Sequence, residues 1–385
     1  MGSFWIKTKI HCGEGSLSRL ENEAAGVRTA LLLTSGSVAR AGFADEAEER
    51  LARSGARVRR VEGLPSEPTL EHLEELLGET ARPAPDLIVA LGGGSVVDLA
   101  KAYKLFLDAP GLRFEEVALM DRFSKPRPIP KLRTKLVAVP TTSGAGSEVS
   151  AASVIRVGEV KYNLVSPELI PATAVLDPRL PRTMPPELAR NTGLDALSHA
   201  VEAYTTKATT PFSDGMALRA AELVLAELPA SVGGDEAARA TLHYAATTAG
   251  IAFLNARLGL AHAMAHKAAW IAPHGLLVAL LLPAVIKANA EASVYAARRY
   301  RQLARELGVG QGWESLLARI ATLYEELDLP HLRELVSPEE YHRRVPEMAR
   351  LAYRDPLLDF NPAELGEEEI AEVYRRAYEE GWRQA

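Results

Sequence analysis

Through its first half the chain alternates short apolar runs with amphipathic stretches. The runs at 28–34, 57–61, 86–91, 135–139 and 173–176 are rich in leucine or β-branched residues and have the length of strands. Between them, residues 43–52 set Phe43, Ala47 and Leu51 on one helical face. Residues 69–77 do the same with Leu70, Leu73, Leu76 and Leu77. Strands alternating with helices predict a largely parallel sheet covered on both sides. After Pro186 the strand signals stop and long helical patterns follow, ending with Ile370, Val373, Tyr374, Ala377 and Tyr378 on one face. The proline-rich stretch 177–186 marks the change. The pattern therefore predicts an α/β domain at 1–185 and an all-helical domain at 186–385, with a cleft between them as the place for a ligand.

Composition narrows the function. At 385 residues the chain suits two domains, and 47% hydrophobic with 24% charged residues is ordinary for a globular protein. A net charge of -6 leaves no global basic field, which argues against nucleic acid or an anionic membrane as the main partner. Cys12 is the single cysteine, so no intrachain disulfide and no cysteine-based zinc or iron–sulfur centre is expected, in keeping with a reducing cytoplasm. The first seven residues carry no apolar core of a signal peptide. The longest uncharged run, 268–286, approaches the length of a membrane span. Pro273, His274, Gly275 and Pro283 interrupt it, and it predicts a turn followed by a buried helix of a soluble protein.

Four segments carry candidate chemistry. Residues 91–101, Leu-Gly-Gly-Gly-Ser-Val-Val-Asp-Leu-Ala-Lys, follow the strand at 86–91 and open a helix. Glycines there let backbone N–H groups approach an anion, and the helix N-terminus favours it. Ser95 with Asp98 also spells a capping box, the plain structural role for both. Residues 140–148, Pro-Thr-Thr-Ser-Gly-Ala-Gly-Ser-Glu, form a second polar loop at the carboxyl end of a strand. Two such loops on one sheet favour a dinucleotide over a pair of tight turns. Asp195 and His199 stand four apart, with Glu202 on the same side of the helix and Leu194, Leu197 and Val201 opposite. By itself this segment reads as a solvated polar face. His262, His266 and His274 place three of nine histidines within thirteen residues, where even spacing would give about 0.3. Imidazoles with one carboxylate suit Fe²⁺, Zn²⁺ or Mn²⁺ better than Ca²⁺ or Mg²⁺.

Taken together and in this order, the four segments resemble the iron-containing (group III) alcohol dehydrogenase family along nearly the whole chain. The resemblance implies an N-terminal Rossmann-like α/β domain holding NAD or NADP, an all-α C-terminal domain, and a divalent metal, Fe²⁺ or alternatively Zn²⁺. It implies Asp195, His199, His262 and His274 as metal ligands and His266 as a histidine of the proton path. Gly93, Gly94, Ser95, Asp98, Thr141, Thr142, Ser147 and Lys161 would surround the dinucleotide. Where NAD-preferring members carry an aspartate after the first nucleotide-domain strand, this chain has Ser35. Without a carboxylate to repel a 2′-phosphate, NADP(H) should be tolerated or preferred. The segment from His266 to His274 is two residues shorter than the family pattern. The implied activity is hydride transfer between the nicotinamide and a small alcohol or aldehyde, in a homodimer or larger homo-oligomer. Alternatives are a maleylacetate reductase-like enzyme acting on a keto or semialdehyde acid, a dehydroquinate synthase-like lyase, and a nucleotide-binding protein without catalysis.

Overall fold

The computed structural model describes residues 3–158 and 160–384. The chain forms two compact units. One contains Ile6–Met120 and Ser124–Met184; the other contains the chain from Pro185 onward together with the residues up to Trp5 and Asp121–Phe123. These two short segments lie within the predicted 1–185 domain, yet their polar groups are satisfied in the helical unit. Trp5 N–H donates to Asn255 Oδ1 at 2.8 Å, and Arg122 N–H donates to the Arg354 carbonyl at 2.8 Å.

Among the described residues, the α/β unit has nine strands: β1 (Lys9–Cys12), β2 (Thr29–Thr34), β3 (Arg57–Val61), β4 (Leu87–Gly92), β5 (Ala118–Leu119), β6 (Lys135–Pro140), β7 (Ala152–Val157), β8 (Val160–Val165) and β9 (Thr173–Leu176). Six form a parallel sheet in the order β1-β9-β6-β4-β2-β3. Its central strands are buried on both faces, so β4 reads Leu-Ile-Val-Ala-Leu-Gly without a polar residue. Helix α1 (Phe43–Arg53) covers one face with Ala44, Ala47 and Leu51. Helices α2 (Leu70–Thr80) and α3 (Gly94–Asp108) cover the other, packing on Leu31, Leu33, Ile88 and Ala90. The chain steps outward from β2 to β3, then returns to place β4 on the opposite side of β2. The order thus reverses between β2 and β4, the point at which open α/β sheets bind ligands beyond their carboxyl ends.

Strands β5, β7 and β8 form a separate antiparallel ribbon. It is missing from the sequence expectation because β7 and β8 mix polar with apolar positions, unlike the unbroken apolar runs of the parallel strands. β1 is missing for a related reason: as an edge strand, Lys-Ile-His-Cys needs little apolar surface.

The helical unit comprises α4 (Pro186–Thr205), α5 (Pro211–Val232), α6 (Glu236–Ala256), α7 (Leu260–Lys267), α8 (His274–Ala292), α9 (Val294–Glu306), α10 (Trp313–Glu326), α11 (Pro338–Tyr353) and α12 (Glu367–Glu379), with shorter turns between them. Close approach of α4 to α5 depends on Gly193, where a Cβ would stand 2.3 Å from Leu228 Cδ1. Helix α8 is long and apolar enough to cross a membrane by length and composition alone, but most of it is buried inside the unit. It follows the turn at 268–272 and carries Pro283 in its interior, as the broken run of 268–286 predicts.

Candidate functional site

Two groups of candidate residues arise, one in each unit. In the α/β unit the sheet register aligns Thr34, Leu91 and Val139 in one row, so the turns after β2, β4 and β6 begin at one level. Helix α3 starts at Gly94 with Gly93 as N-cap, and no side chain caps it. The expected Ser95–Asp98 capping box is therefore absent: the glycines start the helix before Ser95, which lies inside its first turn. Asp98 instead accepts from Val154 N–H at 3.1 Å and stands 3.7 Å from Lys101 Nζ. Burial raises its carboxyl pKa, partly opposed by Lys101. Lys101 is fully buried and donates to Ser150 Oγ at 3.0 Å and to the Ala152 carbonyl at 2.7 Å; burial lowers its pKa to about 8.

Glycine brings the two polar loops together. A Cβ on Gly93 would lie 3.3 Å from Thr142 Oγ1, and one on Gly94 only 2.7 Å from Ala145 Cβ and 3.4 Å from Ser147 Oγ. Thr141 N–H donates to the Gly92 carbonyl at 3.0 Å, fixing one loop on the other. An uncapped helix N-terminus beside such loops offers backbone donors to a pyrophosphate, so these residues fit a dinucleotide. Ser35 Oγ lies 3.1 Å from Ser37 Oγ at the start of the adjoining turn. Lys161 is on β8, where its Nζ pairs with Glu67 Oε1 at 2.6 Å.

The second group lies in the helical unit. Asp195 and His199 are on α4, His262 and His266 on α7, and His274 is the first residue of α8. The solvated face expected for the α4 segment is not observed: Asp195, His199 and Glu202 are buried, as Leu194, Leu197 and Val201 are. From Gly193 onward helix α4 is covered all round, so polar residues there need partners inside the protein. Asp195 Oδ1 stands 3.6 Å from His262 Nε2, 3.8 Å from His274 Nε2 and 3.9 Å from His199 Nε2. These separations exceed hydrogen-bond length. They are near the edge of about 3.4 Å expected for a coordination tetrahedron with bonds of ~2.1 Å. One ligand atom each from Asp195, His262 and His274 falls within 4.8 Å of the others, and the His199 ring lies nearly parallel to that of His262, 4.5 Å away. Asp195 Oδ1 and His262 Nε2 are buried without a hydrogen-bond partner. Three donors gathered in this way, two of them orphaned, with the His199 imidazole beside Asp195, fit a divalent cation. The shortened 266–274 segment still delivers His274 to the group. Gly275 makes this possible, since a Cβ there would lie 2.1 Å from the Asn191 carbonyl oxygen and 3.0 Å from Asp195 Cβ.

Electrostatics keep the group anionic at its centre. Burial opposes the charge of Asp195, but His199, His262 and His274 hold its carboxyl well below the usual range. Burial likewise opposes charge on His262, but Glu202 and Asp195 outweigh it and raise the imidazole to about 9. His262 Nδ1 meets Glu202 Oε2 at 2.5 Å. His266 differs: burial lowers its pKa despite a 3.4 Å contact from Nδ1 to Asp355 Oδ2. Asp355 also pairs with Lys267 Nζ at 2.9 Å and accepts from Leu357 N–H at 3.0 Å. Glu202 and Asp355 are absent from the candidate residues read from the sequence. Glu202 shares a helix face with Asp195 and His199, a signal present but discounted, whereas Asp355 lies 89 residues beyond His266 with no motif around it.

Residues 7–178 match the family described as iron-containing alcohol dehydrogenase, and 189–378 match the C-terminal part of the same family. The chain is similar to an alcohol dehydrogenase of Thermococcus barophilus, 55% identical over 98% of this chain and 100% of that one. It is 36% identical to an NADPH-dependent butanol dehydrogenase of Clostridium saccharobutylicum, covering 98% of each. Among solved structures, that of an iron-containing alcohol dehydrogenase from Thermococcus thioreducens superposes with a TM-score of 0.96 at 57% identity, covering 98% of this chain and 99% of the other.

Proposed function

The chain belongs to the iron-containing alcohol dehydrogenase family, and from that premise we propose how its residues divide the work. It is a metal-dependent oxidoreductase that uses a nicotinamide cofactor on a small alcohol or aldehyde. Asp195, His199, His262 and His274 hold the metal, Fe²⁺ in the cell, with Zn²⁺ able to occupy the same donors. The observation carrying this assignment is the convergence of three imidazole Nε2 atoms on one buried carboxylate oxygen. When bound, a divalent metal supplies Lewis-acid charge that acidifies an alcohol or polarises an aldehyde carbonyl. The nicotinamide supplies the hydride chemistry.

The protein's own part is positioning and proton handling. Gly93, Gly94 and Ser95 present the α3 N-terminus to the pyrophosphate, and Thr141, Thr142 and Ser147 line the facing loop. Asp98 and Lys101 act behind them by tying α3 to β7. Lys161 would reach the cofactor ribose after leaving Glu67. His266, held through Nδ1 by Asp355, exchanges the substrate proton at Nε2. Ser35 offers no carboxylate to a 2′-phosphate, so NADP(H) is accepted; the similarity to an NADPH-dependent relative supports this.

The test is oxidation of NADH and NADPH by purified, iron-loaded protein with short aldehydes such as propanal and butanal. Net consumption of reduced cofactor in step with alcohol formation is expected. Cofactor binding without turnover of any aldehyde, or a cofactor regenerated within each cycle as in a lyase, would refute the reading.

A further inference from the structure

We propose that Glu202 is a positioning residue that selects the metal-competent tautomer of His262. The inference rests on the reading of His262 as a metal ligand. The N-cap of helix α7 is Gly259, which has no side chain with which to cap it. Glu202, from α4, performs that task from outside: its Oε1 accepts from Ala261 N–H at 2.8 Å, one of the otherwise orphaned donors of the first turn. A Cβ at residue 259 would stand 3.1 Å from the same oxygen, so the glycine admits the carboxylate. The second oxygen, Oε2, meets His262 Nδ1 at 2.5 Å.

A carboxylate only accepts, so the proton of this contact belongs to Nδ1. Nε2, the atom facing Asp195 Oδ1, is then the nitrogen that gives up its proton to bind a metal, while Nδ1 keeps its own. Both groups are almost wholly buried, which keeps water from offering an alternative partner. One side chain thus fixes the helix start, the ring orientation and the tautomer. By contrast, the Asp355 carboxylate beside His266 is shared with the Lys267 ammonium. Two histidines one turn apart on the same helix therefore have different partners and different tasks.

The substitution Glu202→Gln separates charge and tautomer from shape. Its amide oxygen can still accept from Ala261 N–H, but its NH₂ then faces Nδ1 and favours the tautomer protonated at Nε2. Metal-free protein titrated with Zn²⁺ against a chromophoric chelator should show a dissociation constant about 10- to 100-fold higher for Glu202→Gln, the usual effect of losing a partner behind a metal-bound histidine. Thermal unfolding of the metal-free variant should remain a single cooperative transition, which shows that it folds. In parallel, ¹⁵N shifts of labelled imidazoles in the metal-free parent, followed to a pH at which His262 is neutral, should show the proton that remains on its ring at Nδ1. Unchanged Zn²⁺ affinity in a folded Glu202→Gln protein overturns the proposal. If the variant does not fold, the neutral ring of the parent decides, and a remaining proton on Nε2 rather than Nδ1 overturns the proposal. His262→Ala is the control: if it binds Zn²⁺ as tightly as the parent, the ligand assignment fails, not the role of Glu202.

Discussion

Helix α7 carries His262 and His266 on one face, a turn apart, and sequence spacing alone lets either reach a metal. Their surroundings separate them. His262 Nε2 points to Asp195, whereas His266 is anchored at Asp355 and Lys267 and its ring stacks on His274 at 5.4 Å. His262→Ala should accordingly be isolated with little metal and almost no activity. His266→Ala should retain metal and cofactor and lose kcat, with partial rescue by small exogenous bases. Metal analysis and steady-state rates on the two variants check this, and an exchanged pattern would reverse the assignment. The resemblance singles out Asp195, His199, His262 and His274, and the structure brings them near one another. Their burial was not legible in the sequence, because a helix enclosed by other helices looks locally like one with a polar outer face. Asp355 could not be read at all, since only tertiary folding brings it to His266. Gly275 illustrates the same limit. Nothing in Pro-His-Gly reveals that a methyl group there would collide with the Asn191 carbonyl. Gly275→Ala should therefore destabilise the protein by about 1–3 kcal/mol and weaken metal binding by displacing α8 from Asp195. A Tm and Zn²⁺ affinity equal to those of the parent would contradict that packing argument.

At the scale of elements, the parallel strands announce themselves because burial on both faces demands apolar runs, and the matching register sets their loops at one level. Two consequences can be measured. Gly94→Ala places a Cβ within 2.7 Å of Ala145 Cβ, so the loops must separate; the dissociation constant for NADPH should rise about tenfold, equivalent to about 1.4 kcal/mol. Strands β1, β6 and β9 are joined at one end by a single buried carboxylate, Glu23, which meets Lys9 Nζ at 2.5 Å, Lys135 Nζ at 2.8 Å, Thr173 Oγ1 at 2.9 Å and His11 Nε2 at 3.0 Å. Burial opposes its charge, but Lys135, Lys9 and His11 together hold the carboxyl far below its ordinary value of 4.5. A carboxyl depressed in the folded state binds fewer protons there than in the unfolded chain. Its stabilisation is complete above about pH 4.5 and is lost as pH falls from there toward the folded-state pKa. Glu23→Gln should cost about 1.5–3 kcal/mol at pH 7, with the gap in Tm narrowing progressively below pH 4.5. A gap independent of pH would mean that the charge of Glu23 contributes nothing.

For the whole molecule, the division of chemistry follows the division of the chain. The dinucleotide loops belong to the α/β unit and the proposed metal ligands to the helical unit, each surrounded by its own core. A ligand that binds only the folded state stabilises it by RT ln(1 + [L]/Kd), about 2.7 kcal/mol at a hundredfold excess over Kd. Local openings that release the ligand are suppressed most, so protection from amide hydrogen exchange should report where each ligand is held. Chelation of the metal should deprotect peptides covering 189–204 and 259–276, where α4, α7 and the start of α8 supply Asp195, His199, His262 and His274. Addition of NADPH should instead protect 34–38, 92–98 and 141–147, the turns that follow β2, β4 and β6. The two responses arise from different segments and can be obtained separately, with either ligand absent. If chelation leaves 259–276 unchanged while activity disappears, the metal is held elsewhere. If NADPH protects none of the three turns, the Gly93–Gly94 and Thr141–Thr142 loops are structural and the cofactor binds by another surface.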